Sequence, residues 1–540
     1  MLNSVNHTGS NKRNMINAPA APTTFASPNK PYQIIYRNTF LKNIVSQYVC
    51  NDLDLNVSFE YLNHHHQDLA RLDTLNYNTQ ISVLILDDEQ SGLYQESPYK
   101  DLITKMFISD AVGPINQSQI YQHLPKNLKS LEFTHTGREI TYGENIKRLL
   151  IDYRSETPHG PYNSTTLPKG LKSLSVFGPS HPFTENVIPD SLTDLQIASD
   201  DLVLYNASKF PSTLTYVELN VMNTFPQRPV FNNQHFIKKL DISFADGVTL
   251  EPNDLPSTVE SLSLGGNIGE LRIKVLPQSI TELELNDYAF QLKPNILPSH
   301  LKKLSLYVYD QPLLVGVLPQ TLKELTLHLY DKPIGAKVLP SSLSLLRLPS
   351  FNQPLSPKVL PNITDLYLPT YCQPIEFGVF PDSVKTLLIS HALPISDSCQ
   401  FPSSLTRLEI TNFDGSRGFL HLIPPQIKSL YIDFFVQGGE QKIEFDPQAQ
   451  IPPHITSLLF GHNCFRIPQS FIPPTVKKLT LGSYETVIQP TVEGECFYPP
   501  HLELLSVTSD FKVGKIPDSL KIIHFNDCIL QHIKREGDQQ

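Results

Sequence analysis

The chain has 540 residues, a formal net charge of −10, 40% hydrophobic and 18% charged residues, 46 prolines and no tryptophan. It is too long for one ordinary core, too apolar to be disordered throughout, and lacks the general basic field that nucleic-acid binding requires. Its six cysteines, Cys50, Cys372, Cys399, Cys464, Cys496 and Cys528, form no CxxC pair. Neither a zinc site nor a dense disulfide framework is indicated, and reduced thiols in the cytoplasm, or in the nucleus, are expected.

Residues 1–30 are rich in Asn, Ser, Thr, Ala and Pro without an apolar period or a secretory-type apolar run, and read as a disordered tail. In 31–75, Phe40, Leu41, Ile44, Val45 and Tyr48 fall at helical spacing. A helical segment there would cover the open core of the first repeat. The triplet His64-His65-His66 points its rings in different directions on a helix, and no Cys or acidic cluster stands at ligand spacing, so no metal is expected.

From 76 to 530 the sequence is repetitive. An L-x-x-L-x-L skeleton recurs from Ile81 to Leu520, about twenty-one times. Consecutive copies are Leu322, Leu325, Leu327 and Leu343, Leu346, Leu348, and Pro256, Pro277, Pro298, Pro319, Pro340 and Pro361 lie 21 residues apart. The alternation within x-L-x-L predicts a strand with leucines on one face. A unit this short predicts a turn and a short extended or 3₁₀ return rather than a full helix. The expected fold is mainly β, a solenoid with one short parallel strand per repeat. The proline, usually three residues before the first leucine, falls where no ladder N–H is needed. Doubled prolines, such as Pro424-Pro425 and Pro473-Pro474, are expected to stiffen the return into an extended conformation.

The second half of the unit carries an aromatic, then Asn or Asp, Gln or Lys, Pro and an aliphatic, as in Phe351-Asn352-Gln353-Pro354-Leu355 and Tyr330-Asp331-Lys332-Pro333-Ile334. The aromatic and aliphatic are expected to fill the far side of the coil, and the Asn or Asp to cap backbone N–H groups. These units resemble FNIP repeats, named for a Phe-Asn-Ile/Gln-Pro core, found in social-amoeba proteins and related to leucine-rich repeats. The resemblance is closest between about 255 and 380 and implies a leucine-rich-repeat-like solenoid. The stretch RNTFLKNIV resembles the short helical preface of that family, and loosely an F-box helix, though the leading Leu-Pro is missing. That gives an alternative role as a ubiquitin-ligase-type substrate adaptor working through residues 31–70.

The spacing stretches to 28 residues between Ile427 and Ile455, which makes 436–450 the longest candidate for a functional loop. No phosphate loop, HExxH or GxSxG motif occurs, and nothing specifies a nucleophile, a catalytic base or a cofactor. No apolar run is long enough to span a bilayer, and the tail 531–540 carries no lipidation signal. The expected function is non-enzymatic binding of a protein partner on a concave parallel sheet. Among outward strand positions, Tyr307, His328, Arg347, Tyr367, Arg407, Glu409 and Tyr431 are the candidate contact residues, because Tyr and Arg are enriched in hot spots.

Overall fold

The computed structural model describes residues 54–74, 79–134, 140, 142–152, 167–177, 188–198, 210–222, 231, 236–244, 247–392, 401–434, 443, 445–461, 466–482, 487–489, 498–507, 516–525 and 530–532. The chain divides into two compact units, residues 1–205 with 209–216, and residues 206–208 with 217–540. The expectations for 1–30, for the helical spacing at Phe40–Tyr48 and, within the candidate loop 436–450, for 436–442 and 444 lie outside the described residues.

In the first unit, β1 (Asp54–Asn56), β2 (Gln80–Ile85), β3 (Lys105–Ile108), β4 (Ser130–Thr134), β5 (Arg148–Asp152), β6 (Ser173–Phe177) and β7 (Asp194–Ala198) run parallel in that order. The register sets Leu131, Leu149, Leu174 and Leu195 side by side, all fully buried or nearly so. Among the described residues three α-helices accompany them: α1 (Phe59–Thr74), α2 (Asp88–Glu96) and α3 (Pro114–Gln122). Helix α1 buries Phe59, Leu62 and Leu69, a helical stripe. Its three histidines go separate ways. His64 Nδ1 lies 2.8 Å from the Glu60 carbonyl, His65 stacks on Tyr61 and His66 on Tyr99.

The spacing argument against helices fails in these first rungs. Helix α2 fits between Ile81 and Ile103 because Asp87 caps it, accepting from the Gln90 amide at 2.9 Å. Tyr94 on α2 is fully buried and donates to the His123 carbonyl at 2.5 Å, so the helix fills the space a return segment would occupy.

The second unit is mainly β. Strand β8 (Tyr216–Met222) is followed by β9 (Lys239–Phe244), β10 (Ser261–Gly265), β11 (Glu282–Leu285), β12 (Lys303–Leu306) and β13 (Glu324–Leu327). Next come β14 (Leu345–Arg347), β15 (Asp365–Leu368), β16 (Thr386–Ser390), β17 (Arg407–Phe413), β18 (Ser429–Phe434) and β19 (Ser457–Phe460). Beyond them lie β20 (Arg466–Pro468), β21 (Lys478–Leu481), β22 (Val487–Gln489), β23 (Leu504–Val507), β24 (Ile522–Phe525) and β25 (Leu530–His532). Strands β9 to β19 are parallel neighbours in sequence order, and β21, β23 and β24 continue the series. β20 pairs with β22 apart from the main sheet, and β25 is antiparallel to β24. The solenoid amounts to about 16 turns, slightly fewer than the repeat count expected. A strand follows every leucine triplet, but several segments that would return one strand to the next lie outside the described residues.

The strand is entered through a tight turn that the proline opens. The N–H of the first triplet residue donates to the proline carbonyl, as in Leu301 to Pro298 at 3.2 Å and Leu322 to Pro319 at 3.1 Å. Doubled prolines use the same turn: Ile427 donates to Pro424, so Pro425 occupies the second turn position that proline favours. They tighten the entry turn instead of extending the return. Just before many of the triplets, a Ser or Thr hydroxyl donates to the previous rung, as from Thr321 to Leu301 and from Ser383 to Ile363. Those carbonyls lie one residue ahead of the strand ladder, whose first bonds run from Lys302 and Lys303 to the Thr281 carbonyl. The hydroxyls thus supply donors where the ladder has not begun.

Behind the sheet, Tyr309, Tyr330, Phe351 and Tyr371 are fully buried and stack with centroids 6.4, 6.3 and 6.2 Å apart and planes within 7°. Burial pushes the Tyr309 hydroxyl up to about 12. The polar residue after each aromatic also forms a ladder. Asp310 accepts from the Asp331 amide, Asp331 from Asn352, and Asn352 from Cys372, at 2.9, 2.8 and 2.8 Å. The expected caps exist, but each caps the next rung rather than its own. The return then reverses through stacked turns such as Arg272 to Val275, Gly335 to Val338 and Ser356 to Val359. Their third residues, Lys274, Lys337 and Lys358, have φ of 71°, 61° and 65°. A lysine there bears a left-handed strain that glycine would not.

Several polar residues are buried as well, His391 among them. His391 lies between Phe413 and Phe419, with the Asp414 carboxylate 3.1 Å from Nδ1. Burial holds its pKa below the ordinary imidazole value, against the opposing pull of Asp414. The fold therefore favours neutral His391. Its contribution is complete above the unfolded pKa of about 6.5 and is lost as pH falls below it. The urea midpoint is expected to drop between pH 7.5 and pH 5, and the drop to shrink in His391→Phe. Equal drops in the two proteins would contradict this.

The outward sheet face as the candidate functional site

The residues between the leucines of a triplet stand on the other face of the sheet, and the register turns them into files. One file in the second unit reads Ser305, Thr326, Arg347, Tyr367, Leu388, Glu409, Tyr431 and Leu459. Four of the seven candidates share it. Arg407 stands in the neighbouring file, two residues before Glu409, while Tyr307 and His328 follow the ends of β12 and β13.

The candidates pair. The Arg347 guanidinium lies 4.7 Å from the centroid of the Tyr367 ring, a cation–π contact between adjacent strands. Tyr307 and His328 pack at 4.8 Å between centroids, and Tyr307 is 48% exposed. Arg407 Nε binds Glu409 Oε1 at 2.7 Å, which leaves the Glu409 side chain 13% exposed and that of Arg407 66% exposed. Burial, then the Asp433 and Glu409 carboxylates, raises the Tyr431 hydroxyl pKa. Gly461 makes room there: an added Cβ would stand 2.5 Å from Tyr431 Oη and 2.6 Å from Asp433 Oδ1.

Reading only polar and aromatic positions missed the apolar members of the file. Leu388 is half-buried and Leu459 is 37% exposed. Both stand four residues after the first triplet residue, Val384 and Ile455, the offset that also gives Arg347 and Tyr431. Toward its start the file turns acidic. Asp241 aligns with Ser263, and Ser263 with Glu284. Burial, with Glu218 and Glu284 adding repulsion, raises the Asp241 carboxyl against a hydrogen bond from Ser263.

Part of the long insertion serves packing. Phe445 lies against Phe413, Phe434 and Phe471, and the Asp446 amide donates to Gly415. Among the described residues no three His, Cys, Asp or Glu side chains gather to hold a metal, and no helix is long and apolar enough to cross a membrane. The adaptor alternative rests on residues 31–70, of which 31–53 lie outside the described residues.

The FNIP repeat family model matches residues 249–288, 291–329 and 330–368. These spans hold Tyr309, Tyr330 and Phe351 of the aromatic stack and most of the uniform turns described above. No curated protein matches the chain significantly. Among solved structures, CroV588, described as a novel circular leucine-rich-repeat protein, is similar over 82% of this chain and 69% of its own, at 22% identity and a TM-score of 0.51. YopM from Yersinia enterocolitica WA-314 is similar over 86% of this chain and 99% of its own, at 17% identity and a TM-score of 0.37. The first likeness concerns fold, and it agrees with the parallel rungs and inward leucines found here. Residues 249–368 carry FNIP repeats, and they lie within a solenoid of leucine-rich-repeat-like fold.

Proposed function

We propose that this protein is a non-enzymatic scaffold that binds a protein partner on the outward face of the second unit's sheet, centred on Arg347, Tyr367, Glu409 and Tyr431. The observation that carries this reading is the unbroken file from Arg347 to Leu459, in which charge, aromatic rings and aliphatic side chains alternate at strand spacing. Arg and Tyr in such settings are the residue types that dominate interfaces. Arg347 to Tyr431 spans four strand steps, about 19 Å, and a four-residue strand is about 13 Å wide. That patch of about 250 Å² falls well short of the roughly 800 Å² per partner in a stable complex. The partner must therefore extend over neighbouring rungs, and Tyr307 and His328 lie within its reach.

An enzymatic reading finds no comparable support. A cavity of about 280 Å³ has Asp101, Lys129, Lys147, Thr79 and Thr104 on its wall, and its lining includes no Ser, Cys or His. Another, of about 450 Å³, is lined by Pro453, Pro473, Pro474, Pro499 and neighbouring Gln, Ser and Ile residues. A cytoplasmic location is part of this proposal, on the ground that the six cysteines form no CxxC pair.

The test is proximity labelling with the wild-type chain, followed by affinity measurement on the partner it identifies. Arg347→Glu and Tyr431→Ala are each expected to weaken that complex at least about tenfold, the scale of an interface hot spot. Lys293→Glu, behind the sheet, should leave it unchanged. Unaltered affinity in both face variants would rule out this face.

A further inference from the structure

The edge at which the strands of the second unit begin has its own charge pattern. The residue immediately after the first triplet leucine stands there, and hydrogen bonds align successive copies. The Lys323 amide donates to Lys302, Ser344 to Lys323, Thr364 to Ser344, Lys385 to Thr364 and Thr406 to Lys385, at 2.7–2.9 Å. The pairing of β17 with β18 sets Lys428 in the same file. From Lys302 to Lys428 there are six steps, about 29 Å at ordinary strand spacing.

Within that length every charge in the file is positive, and the one carboxylate bound to it among the described residues is that of Asp365, which accepts from Thr364 at 2.7 Å. Lys302, Lys323, Lys385 and Lys428 are all exposed, and none is in an ion pair among the described residues. The positions between them hold Ser344, Thr364 and Thr406, whose hydroxyls donate to carbonyls of the preceding rung at 3.1, 3.0 and 3.2 Å. Glutamate enters the same file only outside this stretch, and lysine neutralises it there. Glu260 binds Lys238, and Glu503 binds both Lys477 and Lys521. A row of uncompensated cations in a chain of net charge −10 is a local reversal of sign that general composition does not produce.

We propose that this lysine row is a docking edge for an acidic polypeptide segment of a protein partner, lying across the strand starts from β12 to β18. An extended segment repeats its side chains on one side about every 6.8 Å, so about nine residues with four carboxylates match the row. Nucleic acid fits less well. No aromatic side chain stands in the row for bases to stack on. This edge is separate from the outward face proposed above, and either assignment can fail without the other.

The test uses the full chain and a fluorescein-labelled peptide of alternating Glu and Ser, with anisotropy read at low and at physiological salt. The variant Lys323→Glu/Lys385→Glu/Lys428→Glu is expected to bind at least about tenfold more weakly than wild type. The control Lys274→Glu/Lys337→Glu/Lys358→Glu carries the same net charge on the back turns and should bind within about threefold of wild type. A Lys→Gln version of the edge variant, checked for an unchanged circular dichroism spectrum, must weaken binding in the same direction. Equal losses in edge and control variants, no loss in the edge variant, or no binding by wild type would overturn the proposal. So would tighter, equally lysine-dependent binding of a single-stranded oligonucleotide of matched charge, which would assign the edge to nucleic acid.

Discussion

Phe351→Ala is expected to destabilise the second unit by about 3–5 kcal/mol, the range for removing a buried aromatic ring. Phe351 is fully buried and stacks between Tyr330 and Tyr371 at 6.3 and 6.2 Å. Truncation leaves a ring-sized gap and takes a face-on neighbour from each tyrosine. The tyrosines cannot simply close over it, because their positions are also set by the backbone: the Tyr371 hydroxyl accepts from the Leu355 amide at 3.3 Å. In a solenoid, stability is close to a sum over rungs and their contacts. The defect should therefore appear in urea as an earlier, separate loss of the rungs around 330–371. Phe351→Tyr, which places in this rung the residue its neighbours already carry, should lie within about 1 kcal/mol of wild type. A Phe351→Ala protein with the wild-type midpoint would show that the stack contributes nothing.

Gly266→Ala is expected to cost about 3–5 kcal/mol, in the range reserved for changes that force strained backbone. Gly266 has φ of +77°, where an L side chain is already unfavourable. Its missing side chain also decides the packing. An added Cβ would collide with the Phe244 carbonyl, a backbone group that cannot swing aside. The glycine amide is held by Asp287 at 2.5 Å, which opposes relaxation from the other side. Gly316 makes the useful comparison. It has φ of +83° but open space around it, so Gly316→Ala should carry only the conformational part, about 1–2 kcal/mol. Thermal melts showing equal losses at the two sites would mean that the collision with Phe244 is relieved by movement.

The sheet was legible because its signal is one of burial. Leu304, Leu325, Leu346 and Leu366 had to alternate with polar neighbours and recur at a fixed interval, and the register aligns them as that interval requires. The buried aromatics were legible for the same reason. Turns and caps were less so. The Ser and Thr hydroxyls before many triplets look like ordinary polar surface until the carbonyl one rung away is in place. Lys274, Lys337 and Lys358 gave no warning of a positive φ, since lysine is neither Gly nor Asn. Helix α2 escaped notice because its apolar content is low and its anchor, Tyr94, is a single residue. In the candidate site, the period gave the file, but the pairing of Arg347 with Tyr367 depends on which strand lies next to which, and the apolar Leu388 and Leu459 were passed over by residue type.

The longest interval between triplets, Ile427 to Ile455, has a wider consequence. Despite 28 residues between them, β18 and β19 still match Leu430 with Leu458 and Ile432 with Phe460. The alignment of rungs does not feel the added chain. A gene of this kind can gain or lose a whole unit at one stroke, by unequal exchange between similar stretches of DNA, and leave a flush joint. Recognition surfaces could then be lengthened, shortened or reordered faster than by point substitution.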